Sequence, residues 1–181
     1  VAVLEHDLDN GRDAMTWALA HDAHLAVALA PSLAFALTWN RLGEQVTLWE
    51  TTSKLVTNEL PDSLRAAWAL ACSRSSGFFK GDSASKWARV AIDLYRLMGV
   101  PIELYKSLAA GCWFGYSGSP DWLDQALREM RELEVPGWPA WVKYFGARAQ
   151  VWGCTVCSDS DGAMAALDRQ ICLAESAGTL N

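Results

Sequence analysis

The residues best suited to chemistry are Cys154 and Cys157, two thiols at C-x-x-C spacing. Such a pair exchanges disulfides in a thioredoxin-like βαβ setting, or supplies half of a zinc site when two further ligands complete the tetrahedron. No strand-like stretch accompanies it, and the missing ligands would have to come from Cys112, Cys172 or a distant His. Against both stands a plainer reading, incidental cysteines near a helix end. His21 and His24 flank Asp22 and could grip a cation, but a solvated helix start explains them with fewer demands. Glu129 and Glu132 could act as paired carboxylates, yet Arg128 and Arg131 interleave with them and give a mixed-charge solvated face. Neither a Walker-type glycine loop nor a G-x-S-x-G elbow occurs. The sequence therefore predicts no catalytic residue, no metal site and no cofactor, and the chain is not expected to be an enzyme.

The stretch that organises the elements runs from Ser63 to Gly99. Leu64, Ala67, Trp68, Ala71, Cys72, Ser75 and Phe79 recur at three-and-four spacing, one face of a helix. Phe78 to Ser83 gives a break, with Gly81 free to take a positive φ and Asp82 or Ser83 placed to cap a second helix. That second helix carries Ala84, Trp87, Ala88, Ala91, Ile92, Tyr95 and Met98 on one stripe, widened by Val90, Leu94 and Leu97, and Gly99 stops it. A helix apolar over so much of its circumference must pack on more than one side. A lone hairpin cannot do that, so like neighbours are expected on both sides.

Composition bounds the partners. The 181 residues are 51% hydrophobic and 20% charged, a globular balance large enough for one domain or several stacked small units. The formal net charge is −6 and no Lys/Arg run occurs, which argues against direct nucleic-acid binding. The longest apolar stretch, Leu25 to Trp39, is interrupted by Pro31 and Ser32, so no membrane span or signal peptide is predicted. Five scattered cysteines, several on apolar helix faces, fit a reducing compartment, and the cytoplasm is expected. Most of the ten tryptophans sit at helix-face positions and read as packing. The chain begins with Val1 rather than Met, so a piece of a longer protein is expected.

In order, an acidic stretch from Leu4 to Asn10 ends in capping residues and leads into a helix to about Ala20, broken by His21 and Asp22. A second helix extends to Trp39, with Pro31 expected to kink or restart it. A third holds Val46, Trp49, Thr52, Leu55 and Val56 before a linker from Asn58 to Asp62. Beyond the central hairpin, Pro101 opens a helix with Tyr105, Leu108, Cys112, Trp113 and Tyr116 in phase. Ser117 to Pro120 turns the chain, Ser119 capping. Two more helices come after the break at 136–139, and the last starts at Asp159 to Asp161 and ends at Gly178. Nothing alternates with period two. The expected fold is all-α, a single domain over 1–181, with N-terminal helices over 1–60 and hairpins over 61–99, 100–135 and 136–181. Gly43, Gly81 and Gly118 are spaced 38 and 37 positions apart, a period between tetratricopeptide and HEAT repeats.

The central unit resembles the tetratricopeptide pattern. Trp68 stands at its first aromatic, Ala71-Cys72 replaces its Leu-Gly, and Ala84 and Ala91 fit two small positions, while Ser75 and Ala88 depart from it. Phe145-Gly146 matches the Leu-Gly site in the last unit. The segment from Leu4 to Ala18 resembles the E-x-D-N-L-R-A-A-L-x-W-A stretch that precedes a tetratricopeptide-like array in large bacterial regulatory ATPases, with Gly11 in place of Leu. Leu94 to Gly99 is similar to their recurring L-Y-R-E-L-G. The resemblance implies the sensor or interaction array of a LuxR-type or winged-helix transcriptional regulator or of a cyclase, its ATPase module lying outside this chain.

The shape that the resemblance implies is a short right-handed solenoid of stacked antiparallel hairpins, the first helix of each hairpin lining the concave side. The positions carried onto that side are Ser73, Glu103, Lys106, Trp113, Phe114, Lys143 and Gln150. Trp113 and Phe114 suit an interface anchor, although Trp113 could equally pack the next repeat. The favoured function is a non-catalytic interaction or regulatory domain contacting a protein, a peptide or other domains of its own chain. The alternative is a sensor whose Trp-rich concave groove takes a small-molecule inducer.

Overall fold

A computed structural model describes residues 2–37, 41–76, 81–114 and 120–178, apart from the side chains of 2–6, 76, 81–82, 114 and 120. These residues form α1 (Ala2–His21), α2 (Ala23–Ala36), α3 (Leu42–Ser53), α4 (Asp62–Ser76), α5 (Gly81–Met98), α6 (Pro101–Phe114), α7 (Pro120–Leu133), α8 (Ala140–Val156) and α9 (Ser160–Ser176). Among the described residues there is no strand. The chain is all-α.

The packing has a simple order. α2, α4, α6 and α8 touch in succession, and the odd-numbered helices hang on this line: α1 and α3 on α2, α5 between α4 and α6, α7 between α6 and α8, and α9 on α8. The two-sided apolar surface of α5 is thereby used twice. Ala84, Ala88, Ala91, Ile92 and Tyr95 are buried, whereas the widening stripe is only partly covered and Leu97 is 77% exposed.

The helix ends explain the turns. Gly99 takes φ +66, its N–H bonds to Arg96 O at 3.3 Å, and Val100 N–H reaches Tyr95 O at 3.2 Å. This pair of bonds is the Schellman arrangement, and only glycine adopts that backbone without strain. It lets Pro101 start α6 at once, so α6 folds back onto α5. Asp22 caps α2, accepting from Leu25 N–H at 3.0 Å, and Asp159 caps α9, accepting from Gly162 N–H at 2.9 Å.

Several expectations change. α1 begins at Ala2 rather than after Asn10, and Gly11 lies inside it. A Cβ there would come within 3.3 Å of Leu33 Cδ1, so that glycine serves the approach of α2. α2 passes through Pro31 without restarting, at the cost of one backbone donor. Asp82 and Ser83 stand within the first turn of α5 instead of ahead of it. The remaining break residues Phe78, Phe79 and Lys80, and the turn at Ser117, Gly118 and Ser119, lie outside the described residues.

The core runs the length of the helix line, and small residues dominate it. Ala18, Ala26, Ala30, Ala66, Ala69 and Ala91 are fully buried, which lets helix axes approach closely. Large side chains enter at intervals. Trp68 meets Trp49 edge to face at 5.3 Å and Trp87 at 4.7 Å, and its indole N–H donates to Thr52 Oγ1 at 3.0 Å. Further along, Tyr105 crosses from α6 to α8, where Gly146 leaves room for its hydroxyl. That hydroxyl donates to Glu134 at 2.5 Å, and Glu134 also pairs with Arg169 of α9.

Candidate functional site

Because α4, α6 and α8 lie side by side, residues one turn apart on the three helices face a common groove. Its walls carry Arg74 from α4, Lys106 and Trp113 from α6, and Phe145 and Arg148 from α8, over a floor of small alanines. Alanine at Ala109, Ala110 and Ala149 is what lets the three helices close to a narrow recess of about 40 Å³.

Each cation in the groove is laid on a ring. The Arg148 guanidinium sits 4.0 Å from the Trp113 ring centre, Arg74 sits 4.9 Å from that of Phe145, and the Lys106 ammonium 5.4 Å from that of Trp141. The contacts are reciprocal across helices: α8 supplies the cation for a ring on α6, and α6 supplies one for a ring on α8. Cation–π contacts of this kind are worth about 0.5–1 kcal/mol at exposed positions and more when desolvated. Trp113 also meets Trp152 at 5.5 Å in a tilted contact. Trp141 stays 49% exposed at the start of α8.

The electrostatics are unbalanced. Glu103 accepts from Lys106 at 2.7 Å and neutralises that cation. Among the described residues, Arg74 and Arg148 have no carboxylate within ion-pair distance. The Arg74 pKa is lowered from its ordinary value, first by desolvation and then by the charge of Arg148, with Glu103 acting the other way. Two guanidiniums thus share the recess at some mutual cost.

The positions carried over from the resemblance divide. Lys106 and Trp113 line the recess, and Glu103 borders it through its ion pair. Ser73 does not belong: it is fully buried and its hydroxyl donates to Leu70 O at 2.8 Å, so the groove position on α4 is the next residue, Arg74. Lys143 is turned back onto the loop before α8, its ammonium donating to Pro136 O at 2.6 Å. Gln150 accepts from Arg169 at 3.1 Å and serves the seam between α8 and α9. The Phe114 side chain lies outside the described residues. Arg74, Phe145 and Arg148 are groove residues that the sequence reading misses, and no local spacing signals them, because each arginine lies over a ring on another helix.

The other candidates for chemistry are placed differently. Cys154 packs against the Asp159 cap, and burial foremost, with Asp159 next, pushes its thiol pKa up, while Cys157 is exposed. Among the described residues no group of three His, Cys, Asp or Glu could hold a metal. His21 stacks on Trp17 at 5.0 Å, and one of its ring nitrogens lies 2.8 Å from Trp17 O. Glu129, expected on a solvated face, instead makes a forked ion pair with Arg96 at 2.9 Å, bridging α7 and α5. No described helix is long and apolar enough to cross a membrane. In comparisons with known proteins, no family model, no curated sequence and no solved structure matches this chain.

Proposed function

We propose that this chain is a non-catalytic interaction domain, a short right-handed solenoid of tetratricopeptide-like hairpins whose inner face receives a segment of protein. The observation that carries the reading is the unbroken line of α4, α6 and α8 with rings and cations assembled across it. Aromatic residues and arginine are the side chains that dominate interface energies, and here they converge from three helices onto one strip. Among the described residues the groove holds no nucleophile beside a base, and its one bordering carboxylate is tied to Lys106. The likeness of the Leu4–Ala18 segment to that of regulatory ATPases supports a place within a larger signalling chain, where the partner is a protein, a peptide or a neighbouring domain.

Selection of peptides from a random library on the whole chain tests this. Selected peptides are expected to bind Trp113→Ala and Phe145→Ala proteins roughly tenfold or more weakly, with helical circular dichroism unchanged. Failure to select any peptide, or equal binding to both variants, overturns the reading. A small-molecule inducer is the second reading, and one observation favours it. A recess of about 420 Å³ opens between α5 and α7, with Trp122, Arg89, Gln125 and Glu129 in its wall. Its size and its mix of an indole with polar groups suit a small polar metabolite. Saturable change in tryptophan emission on titration with a metabolite panel, lost in Trp122→Ala, would favour it.

A further inference from the structure

We propose that the groove is specific for an acidic protein segment, anchored by one Asp or Glu carboxylate seated between Arg74 and Arg148. The inference rests on the groove being a docking face and goes further by naming the chemistry of the segment that docks. Three features of the recess select the occupant.

The first is size. About 40 Å³ holds a group the size of a carboxylate and is too small to enclose a sugar or a nucleobase. The second is geometry. A guanidinium lying flat on a ring keeps its N–H edges free, and that edge matches the two oxygens of a carboxylate. Arg148 lies over Trp113 and Arg74 over Phe145, 4.0 and 4.9 Å from the ring centres, and both arginines line the recess. The third is charge. Lys106 already has Glu103, whereas the two arginines have no carboxylate partner among the described residues and repel each other. An incoming carboxylate relieves that repulsion and supplies the missing counter-charge.

The rest of the molecule narrows the source. With a net charge of −6 and no Lys/Arg run, the chain as a whole disfavours an extended polyanion such as nucleic acid. A peptide needs only a local match. Trp141, half exposed under Lys106, gives an apolar neighbour for the next side chain of the segment.

Fluorescence anisotropy on the full chain, using a labelled peptide alternating Glu and Leu, tests the proposal. Its Gln–Leu counterpart, inorganic phosphate and free glutamate serve as comparison probes. The Glu peptide is expected to bind at least about tenfold more tightly than the Gln peptide, and more weakly as salt rises. Arg74→Gln and Arg148→Gln are each expected to lower affinity by roughly tenfold. Arg128→Gln, on the exposed face of α7, should leave it unchanged.

Equal binding of the two peptides, or indifference to both arginine substitutions in proteins of unchanged helicity, overturns the anchor. If such charge-blind binding is still lost in Trp113→Ala, the docking face stands and only its acidic specificity falls. Absence of binding by either peptide overturns the anchor as well, and the library selection then decides the docking face. Displacement of the peptide by phosphate or glutamate at matching concentration would mark a site for small anions, which also overturns the proposal.

Discussion

Two clusters of aromatic rings divide this molecule, and they do opposite things with the same residue types. In the first, Trp49, Trp68 and Trp87 join α3, α4 and α5 edge to face, with Trp68 fully buried. In the second, Trp113, Trp141 and Phe145 on α6 and α8 are each faced by a cation and remain partly open. The first cluster closes around Trp68 between α3 and α5, and only its edge ring, Trp87, is half-buried with the Lys86 ammonium 5.1 Å from its centre. The second lies on the side of the helix line where α4, α6 and α8 meet each other. A ring becomes core or surface according to which side of that line it leaves, and helical periodicity alone does not distinguish the two sides.

The sharpest way to break the comparison is to empty the first cluster. Trp68→Ala removes the central ring and leaves a cavity between Trp49 and Trp87, a loss of about 3–5 kcal/mol. At this chain length that lowers the melting temperature by about 6–20 °C, readable by calorimetry. A smaller change isolates the polar handle of the same ring. Thr52→Val keeps the shape but strands the Trp68 N–H, and is expected to cost about 1–3 kcal/mol. If Trp68→Ala is mild, the first cluster is not a sealed core.

Gly146→Ala probes the seam between the clusters and the C-terminal helices. A Cβ would overlap the Tyr105 hydroxyl, and a tyrosine ring fixed against Trp138 has little freedom to yield. The expected cost is about 1–3 kcal/mol from overpacking, with the bond to Glu134 disturbed in addition. Equilibrium unfolding in urea would measure it; a change within error would mean that Tyr105 moves freely.

How much of this is legible in the sequence depends on the residue. The all-α class comes from three-and-four spacing, and Gly99 and Gly178 announce their turns because each takes a positive φ. The register carried over from the resemblance puts Lys106 and Trp113 on one inner face, and both line the recess between α4, α6 and α8. That register fails by one position on α4, pointing to Ser73 where Arg74 is right, because one residue is a rotation of about 100° around a helix and separates the core from the groove. Lys143 and Gln150 leave the groove for another reason: each finds a polar partner in a segment distant in sequence or in the preceding loop. The pairing of Arg96 with Glu129 is hidden in the same way, since no local pattern joins residues 33 apart.

On the alkaline side the protein is expected to lose stability. Burial pushes the Cys112 thiol from near 9 up to about 12, and the Tyr95 hydroxyl from 10 up to about 12. Both groups are therefore favoured in the folded state while neutral. Their contribution is whole below the unfolded values and is lost as pH rises from about 9 toward 12. Urea midpoints across that window should fall, and Cys112→Ala should flatten part of the decline. Thiol labelling at pH 8 should modify exposed Cys157 and Cys172 and spare buried Cys72 and Cys112.

The smallest expected change in stability bears most directly on the second cluster. Arg148→Gln removes the cation above Trp113 and leaves the ring in place, a loss of about 0.5–1 kcal/mol. The informative readout is quenching of tryptophan emission by two agents. Iodide is drawn to positive surface, whereas acrylamide is neutral, so the substitution should lower iodide quenching while acrylamide quenching holds or rises. Neither agent reaches Trp68, which is fully buried, so the difference reports on the groove. A decline in iodide quenching of the same size in Arg128→Gln would mean that general charge, not the groove, sets the effect. A loss of stability as large as that of Trp68→Ala would mean that Arg148 and Trp113 belong to the core, and the two clusters would then be one.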